Sequence, residues 1–243
     1  MGGCLFECMK TSRIEQPVIW AQKLTRVYSM GTADVVALNG IDLIIFPGEM
    51  VVLKGNSGSG KSTLLSILAG LDSPTAGELK VAGRDLDNSS AEELTRFRRD
   101  VVGMVFQSFN LLPTLNVIEN VCLPALLAGK PFASVRKRAE ELLGWMDMTD
   151  RIAHLPAQLS GGEMQRTAIA RSLINDPEVI LADEPTGNLD SRNGEIVIRI
   201  LSDLNRRWGR TVIVATHSTL ADSFATRTIC LKDGSISGLA CDI

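Results

Sequence analysis

Met50-Val51-Val52-Leu53-Lys54 runs directly into Gly55-Asn56-Ser57-Gly58-Ser59-Gly60-Lys61-Ser62, and an apolar periodicity then continues from Ser62 to Ala69. The second stretch fits G-x-x-x-x-G-K-[ST], and it lies where its chemistry needs it, after a buried strand and at the start of a helix. Glycines let the backbone turn with its N–H groups facing phosphate oxygens, while the helix N-terminus adds partial positive charge. Lys61 is expected to reach the β- and γ-phosphates, and the Ser62 hydroxyl to ligate Mg²⁺. A turn serving only to join strand and helix has no use for the Lys-Ser pair. The expected phosphate-binding set is therefore Gly55, Asn56, Ser57, Gly58, Ser59, Gly60, Lys61, Ser62 and Thr63.

Outward from this loop, apolar runs of strand length alternate with helical patterns. Strands are expected at Met50 to Lys54, Val101 to Phe106, Val179 to Ala182 and Thr211 to Ala215, and helices at Ser62 to Ala69 and Gly194 to Arg207. Such alternation predicts an α/β fold with a mainly parallel sheet covered by helices. Before it, Val18 to Tyr28, Val35 to Leu38 and the run from Ile41 to the Pro47-Gly48 turn read as an antiparallel β-subdomain. Between Phe109 and Leu159 the strand signal gives way to helical periodicity, at Val117 to Leu127 and Val135 to Trp145, separated by Gly129-Lys130-Pro131. This predicts a helical subdomain inserted at about 109–159 of a domain spanning 18–243, with 1–17 as an N-terminal extension of no assigned role.

The chain has 243 residues, enough for one large domain or a core with a small insertion, and 45% hydrophobic with 22% charged residues excludes a disordered or rod-like chain. A net charge of −3 gives no overall basic field, so nucleic acid is not an expected partner. No apolar run approaches the roughly 18 residues that span a bilayer. The N-terminus lacks the basic and apolar regions of a secretory signal, and Phe6 stands where a myristoylation motif after Gly2 wants Ser or Thr. Cys4, Cys8, Cys122, Cys230 and Cys241 show no paired spacing, which predicts reduced thiols. The basic clusters Arg96, Arg98, Arg99 and Arg136, Lys137, Arg138 read as solvated helix faces, with a partner-docking surface as the alternative.

Two further segments carry chemistry. Asp183-Glu184 follows the strand Val179 to Ala182, at the edge where open α/β sheets bind ligands. Asp183 is expected to hold the Mg²⁺ hydration shell, and Glu184, on the other face of the strand, to orient and polarise an attacking water. Leu159-Ser160-Gly161-Gly162-Glu163 opens a helix with the spacing of a capping box. The cap leaves the two glycines unexplained, since they weaken a first helical turn but let backbone amides approach an anion. A second helix N-terminus of this kind suggests a composite site shared between two subunits.

In order, the phosphate loop, Gln107, Leu159 to Glu163, Asp183-Glu184, Asn188-Leu189-Asp190 and His217 resemble the ATPase subunit of ABC transporters, over nearly the whole chain from Val18. The resemblance implies ATP and Mg²⁺ as cofactors and a head-to-tail dimer with a second copy of the chain. Each ATP would lie between one chain's phosphate loop and the other's Ser160, Gly161 and Gly162. It further implies that Tyr28 stacks on adenine, that Gln107 senses Mg²⁺ and water, that Asp190 couples the two sites, and that His217 holds the γ-phosphate and water. Glu184, His217, Gln107 and Lys61 would be the catalytic set, and Ser62, Gln107 and Asp183 the metal set. Ser218 departs from the pattern, since many relatives have Asp there, which leaves open how the histidine's loop is hydrogen-bonded.

The segments Ala182 to Asp190 and Leu64 to Gly77 resemble the lipoprotein-releasing and macrolide-exporter branch. That implies a separate integral membrane permease, motion transmitted across the membrane, and a peripheral place on the cytoplasmic face of the inner (plasma) membrane. The cargo would be lipoprotein, peptide or drug-like, and a periplasmic adaptor is a candidate partner. The alternative is a non-transport ABC ATPase with soluble partners.

Overall fold

The computed structural model describes residues 16–31 and 33–237. Residues 1–15 of the N-terminal extension, with Gly2, Cys4, Phe6 and Cys8, lie outside the described residues, as does Cys241. Among the described residues the chain forms two sheets. Strands β1 (Ile19–Met30), β2 (Ala33–Ile45), β4 (Ala76–Val81) and β5 (Arg84–Asp85) make an antiparallel sheet in the order β2-β1-β4-β5. Strands β3 (Met50–Lys54), β6 (Val102–Val105), β7 (Val179–Asp183), β8 (Thr211–Ala215), β9 (Arg227–Lys232) and β10 (Ser235–Ile236) make the second, ordered β10-β9-β3-β8-β7-β6. All its neighbours are parallel except the β10–β9 edge pair.

The central strands are apolar on both faces because both faces are covered. On one side Val51, Leu53, Leu181, Ile213 and Ala215 pack with helix α1 (Lys61–Leu68), Phe97 of helix α2 (Ala91–Asp100) and the inner face of the antiparallel sheet. On the other, Met50, Val52, Ile180, Ala182, Val212 and Val214 pack with helices α3 (Val117–Leu127), α4 (Phe132–Trp145), α5 (Gly161–Leu173) and α6 (Ser191–Trp208). Alternate residues of one strand thus hold two cores together. No helix among the described residues is long and apolar enough to cross a membrane.

Several expectations need correction. Val35 to Leu38 and the run from Ile41 are one strand, β2, because Asn39-Gly40 makes a β-bulge: the register against β1 shifts between Leu24↔Ile41 and Arg26↔Leu38. Helix α4 starts three residues earlier than its periodicity implied, since Pro131 takes the N-cap and fixes the entering backbone. Helix α6 starts at Ser191, capped by Asp190. Strands β4 and β9 escaped the periodicity reading, β4 because only Leu79 and Val81 of its six residues are buried. Cys230 is disulfide-bonded, against the expectation of wholly reduced thiols; a search for closely spaced pairs does not see a pairing made by the fold. Both basic clusters lie on helices, Arg96, Arg98 and Arg99 on α2 and Arg136, Lys137 and Arg138 on α4. Arg136 pairs with Glu140 and Arg138 with Glu141 along the same helix.

Candidate nucleotide-binding site

Because β3, β8, β7 and β6 are parallel neighbours, their C-terminal ends share one edge of the sheet. The phosphate loop leaves β3 there, Thr216-His217 leaves β8, Asp183-Glu184 ends β7, and Phe106-Gln107 leaves β6. A cavity of about 660 Å³ lies against this edge, lined by Asn56 to Thr63, Val35 to Ala37, Gln107, Glu184 and His217.

Inside the loop, Gly60 has φ 102°, and a Cβ there would stand 2.5 Å from the Ala37 carbonyl oxygen, so only glycine fits before helix α1. Lys61 is buried, at 7% exposure, and its Nζ donates to the carbonyls of Gly55 (2.7 Å) and Asn56 (3.1 Å). The ammonium therefore braces the loop it belongs to, at the wall of the cavity.

Ser62 Oγ donates to Asp183 Oδ1 at 3.0 Å. Burial pushes the Asp183 carboxyl up, while the Ser62 hydrogen bond opposes the shift and the neighbouring Glu184 adds to it. A hydroxyl and a desolvated carboxylate held this close are hard oxygen donors, the kind that suits Mg²⁺.

Glu184 has φ 44°, a left-handed conformation that costs a non-glycine residue about 1 kcal/mol or more. The strand ends at Asp183, so this turn, and not the alternation of the pleat, sets the direction of Glu184. It is held by a bond from its own N–H to the Ala215 carbonyl (2.8 Å) and one from the Gly187 N–H to its carbonyl (3.0 Å). Its Oε1 lies 3.0 Å from His217 Nδ1, whereas Oε2 is buried with no partner among the protein groups. An ionised carboxylate only accepts, so in this pair the imidazole Nδ1 is the donor. An unmatched carboxylate oxygen at the cavity wall suits a water molecule. Gln107 also lines the cavity, with Nε2 donating to Asn188 Oδ1 (3.2 Å) and its carbonyl accepting from Asn188 Nδ2 (3.1 Å).

Other expected residues lie apart from this cavity. Tyr28 does not line it; its hydroxyl donates to Asp72 Oδ2 (2.7 Å), the Arg26 guanidinium sits 4.5 Å from its ring centre, and its neighbour across the hairpin, Val35, is the residue that reaches the cavity. Asp190 caps α6 through the Asn193 N–H (2.9 Å), a bond that lowers its carboxyl pKa. Ser160, Gly161 and Gly162 also lie outside the cavity lining. Ser160 and Glu163 form the capping box of α5, with the Ser160 N–H donating to Glu163 Oε2 at 2.8 Å. Gly162 has a packing reason within the chain as well, since a Cβ there would fall 2.2 Å from Asn193 Oδ1.

The backbone bond from Ser160 and the Arg151 guanidinium hold the Glu163 carboxyl at about 2. Its folded value is depressed, so the stability it contributes is present above its ordinary value near 4.5 and is lost as pH falls towards about 2. Glu163→Gln is expected to lose less stability across that window than the wild type, measured by chemical denaturation at successive pH values. Equal slopes would remove the assignment.

Sequence reasoning missed Gln165. It is fully buried on α5, and its Nε2 donates to the Pro185 carbonyl (2.8 Å), tying that helix to the turn that carries Glu184. A polar residue on the buried face of a helix was the available signal.

A glycine loop between a buried strand and a helix, with Lys61, Ser62 and two carboxylates at the end of β7, one strand removed from β3 in the sheet, defines a P-loop nucleoside triphosphatase fold. The ABC transporter family model matches residues 38–187, and the chain belongs to the ABC transporter family. It is 51% identical over 211 residues to a macrolide export ATP-binding/permease protein MacB of Rhodopseudomonas palustris, covering 87% of this chain and 32% of the relative. A MacB protein of Marinobacter nauticus is 48% identical over 221 residues, covering 91% and 34%. The chain thus spans about a third of the length of these curated relatives. Among solved structures, the dimeric bacterial ABC transporter cassette MJ0796 superposes with a TM-score of 0.85 at 44% identity, covering 90% of this chain and 97% of that one. MJ0796 is also solved as a dimer in a post-hydrolysis state bound to ADP and Pi.

Proposed function

We propose that the chain binds and hydrolyses ATP as a head-to-tail dimer and thereby drives a membrane permease of ABC type. The observation that carries this reading is the division of the site. The phosphate loop, Gln107, Glu184 and His217 line one cavity, whereas Ser160, Gly161 and Gly162 do not reach it. A second copy would bring its own Ser160, Gly161 and Gly162 to that cavity.

In this reading Lys61 and the loop amides bind the β- and γ-phosphates, and Ser160 and Gly162 of the facing copy close on the γ-phosphate. Ser62 and Asp183, with Gln107, hold Mg²⁺, which when bound neutralises phosphate charge. Glu184 orients the attacking water and takes up its proton, and His217 steadies the water and the γ-phosphate. Asp190 links the two sites, and Tyr28 stacks on adenine once its ring turns towards the cavity beside Val35.

The permease docks beside Gln107, where a groove of about 330 Å³ lies between the parallel sheet and the inserted helices, lined by Leu71, Arg98, Met104, Asn110, Pro124 and Arg171. Exposed Leu71 suits a partner helix with an apolar face. The protein then sits at the cytoplasmic face of the inner membrane and takes part in exporting or extracting lipoprotein, peptide or drug-like cargo, with a periplasmic adaptor completing the route outward. Affinity purification of the tagged chain from detergent-solubilised membranes is expected to retain an integral membrane protein, and phosphate release from MgATP to depend on chain concentration. Recovery with soluble partners alone would replace transport by the soluble-partner alternative.

A further inference from the structure

Lys54 is the last residue of β3, one position before the phosphate loop, and it is buried, at 2% exposure. It does not line the nucleotide cavity. Its Nζ instead passes beneath the loop that follows β8, where it lies 2.7 Å from Asp222 Oδ1 and donates to the carbonyl of Ser218. A lysine in an otherwise apolar buried strand carries a large desolvation cost, which these two oxygens offset. Lys54 and that loop are already neighbours by backbone, since the Thr216 N–H donates to the Leu53 carbonyl (3.0 Å). The loop also has its own turns: the Ser218 N–H donates to Thr216 Oγ1 (3.0 Å), the Leu220 N–H to Ser218 Oγ (3.2 Å) and the Asp222 N–H to the Thr219 carbonyl (3.1 Å).

Ser218 directly follows His217, whose side chain is 71% exposed and whose one hydrogen-bond partner among the described residues is Glu184 Oε1. Little packing therefore holds that ring, and its position is set by the loop backbone. We propose that Lys54 is a positioning residue: with Asp222 it clamps the loop from behind, so that His217 is held at Glu184 and moves with the phosphate-loop strand as one body. The clamp also answers how a loop with serine after the histidine is fixed, by charge from a neighbouring strand. The inference rests on the role given to His217 above.

Lys54→Met keeps length and apolar packing but removes the charge, and Asp222→Asn keeps shape while removing the counter-charge. Lys54→Met is expected to lower kcat for MgATP hydrolysis about tenfold or more, as small misplacements of catalytic groups do, with KM within about twofold because no cavity-lining group is lost. In a His217→Ala background the same substitution is expected to cause no further loss, since the group it positions is gone. The chain has two histidines, so the ring proton resonances of His217 and His154 are resolvable by NMR. The clamp predicts that Lys54→Met shifts or broadens the His217 signal and leaves that of His154 in place.

Equal losses in the wild-type and His217→Ala backgrounds, or an unmoved His217 signal, would overturn the clamp. Should Lys54→Met fail to fold, Asp222→Asn carries the same measurements, with a smaller kcat loss expected because the Ser218 carbonyl still holds the ammonium. Full turnover in His217→Ala alone would instead defeat the role of His217, and the NMR comparison would still decide whether Lys54 fixes its loop.

Discussion

Glu184→Gln is expected to bind MgATP normally and to lose about 10²- to 10⁴-fold in turnover, the range for removing a general base. That corresponds to about 3 to 5 kcal/mol of transition-state stabilisation. The substitution keeps the side chain's length and leaves an amide oxygen able to accept from His217 Nδ1, now 3.0 Å from Oε1. What it removes is the acceptor character of Oε2, the buried oxygen with no protein partner. An amide cannot take a proton from water, so the nucleotide-bound state should persist. Two ATP molecules would then hold the dimer together, visible as a stable species of twice the mass in size-exclusion chromatography. Turnover within a few fold of wild type would remove Glu184 from the reaction.

Lys61→Ala and Ser160→Arg are each expected to abolish hydrolysis alone, and a mixture of the two to regain part of it. Lys61→Ala withdraws the ammonium that braces the Gly55 and Asn56 carbonyls and that is proposed to bind phosphate. Ser160 is exposed, so an arginine there has room within its own chain. Loss of the cap costs about 1 kcal/mol, small against a typical stability of about 5 to 15 kcal/mol. Its steric effect falls on nucleotide held by the facing copy. In a heterodimer of the two variants, one site carries both lesions and the other carries neither. Random pairing leaves about a quarter of all sites intact in a two-fold dimer, so recovery of up to about that fraction is expected when one intact site suffices. Phosphate release across mixing ratios, with heterodimers confirmed by two tags, measures it. No recovery at any ratio would count against a site shared between copies or against one-site sufficiency.

The phosphate loop was legible in the sequence because its constraints are local. A strand, a run of glycines, Lys61 and a helix start are contiguous, and each residue's task is met within a few positions. The central strands were legible for a related reason, since a strand buried on both faces needs an unbroken apolar run, and Val179 to Ala182 and Thr211 to Ala215 supply it. Strands β4 and β9 were less visible, β4 because most of its residues are exposed, and the long β2 was read as two pieces because Asn39-Gly40 makes a bulge as readily as a turn.

Sequence alone therefore determined the fold class, the glycine loop between β3 and α1 and the strand that ends at Asp183, all of which follow from short-range periodicity and backbone chemistry. Only the tertiary structure decided how the pieces face one another. It turned Glu184 through a left-handed φ towards His217, gave Gly162 a close approach to Asn193, and set Gln165 against Pro185. It also buried the charge of Lys54 opposite Asp222, 168 positions further along the chain. These contacts join residues far apart in sequence, and no local pattern encodes them. They arise because parallel strands that are remote along the chain must end at one edge of a common sheet, where burial makes each polar group find a partner from a neighbouring strand.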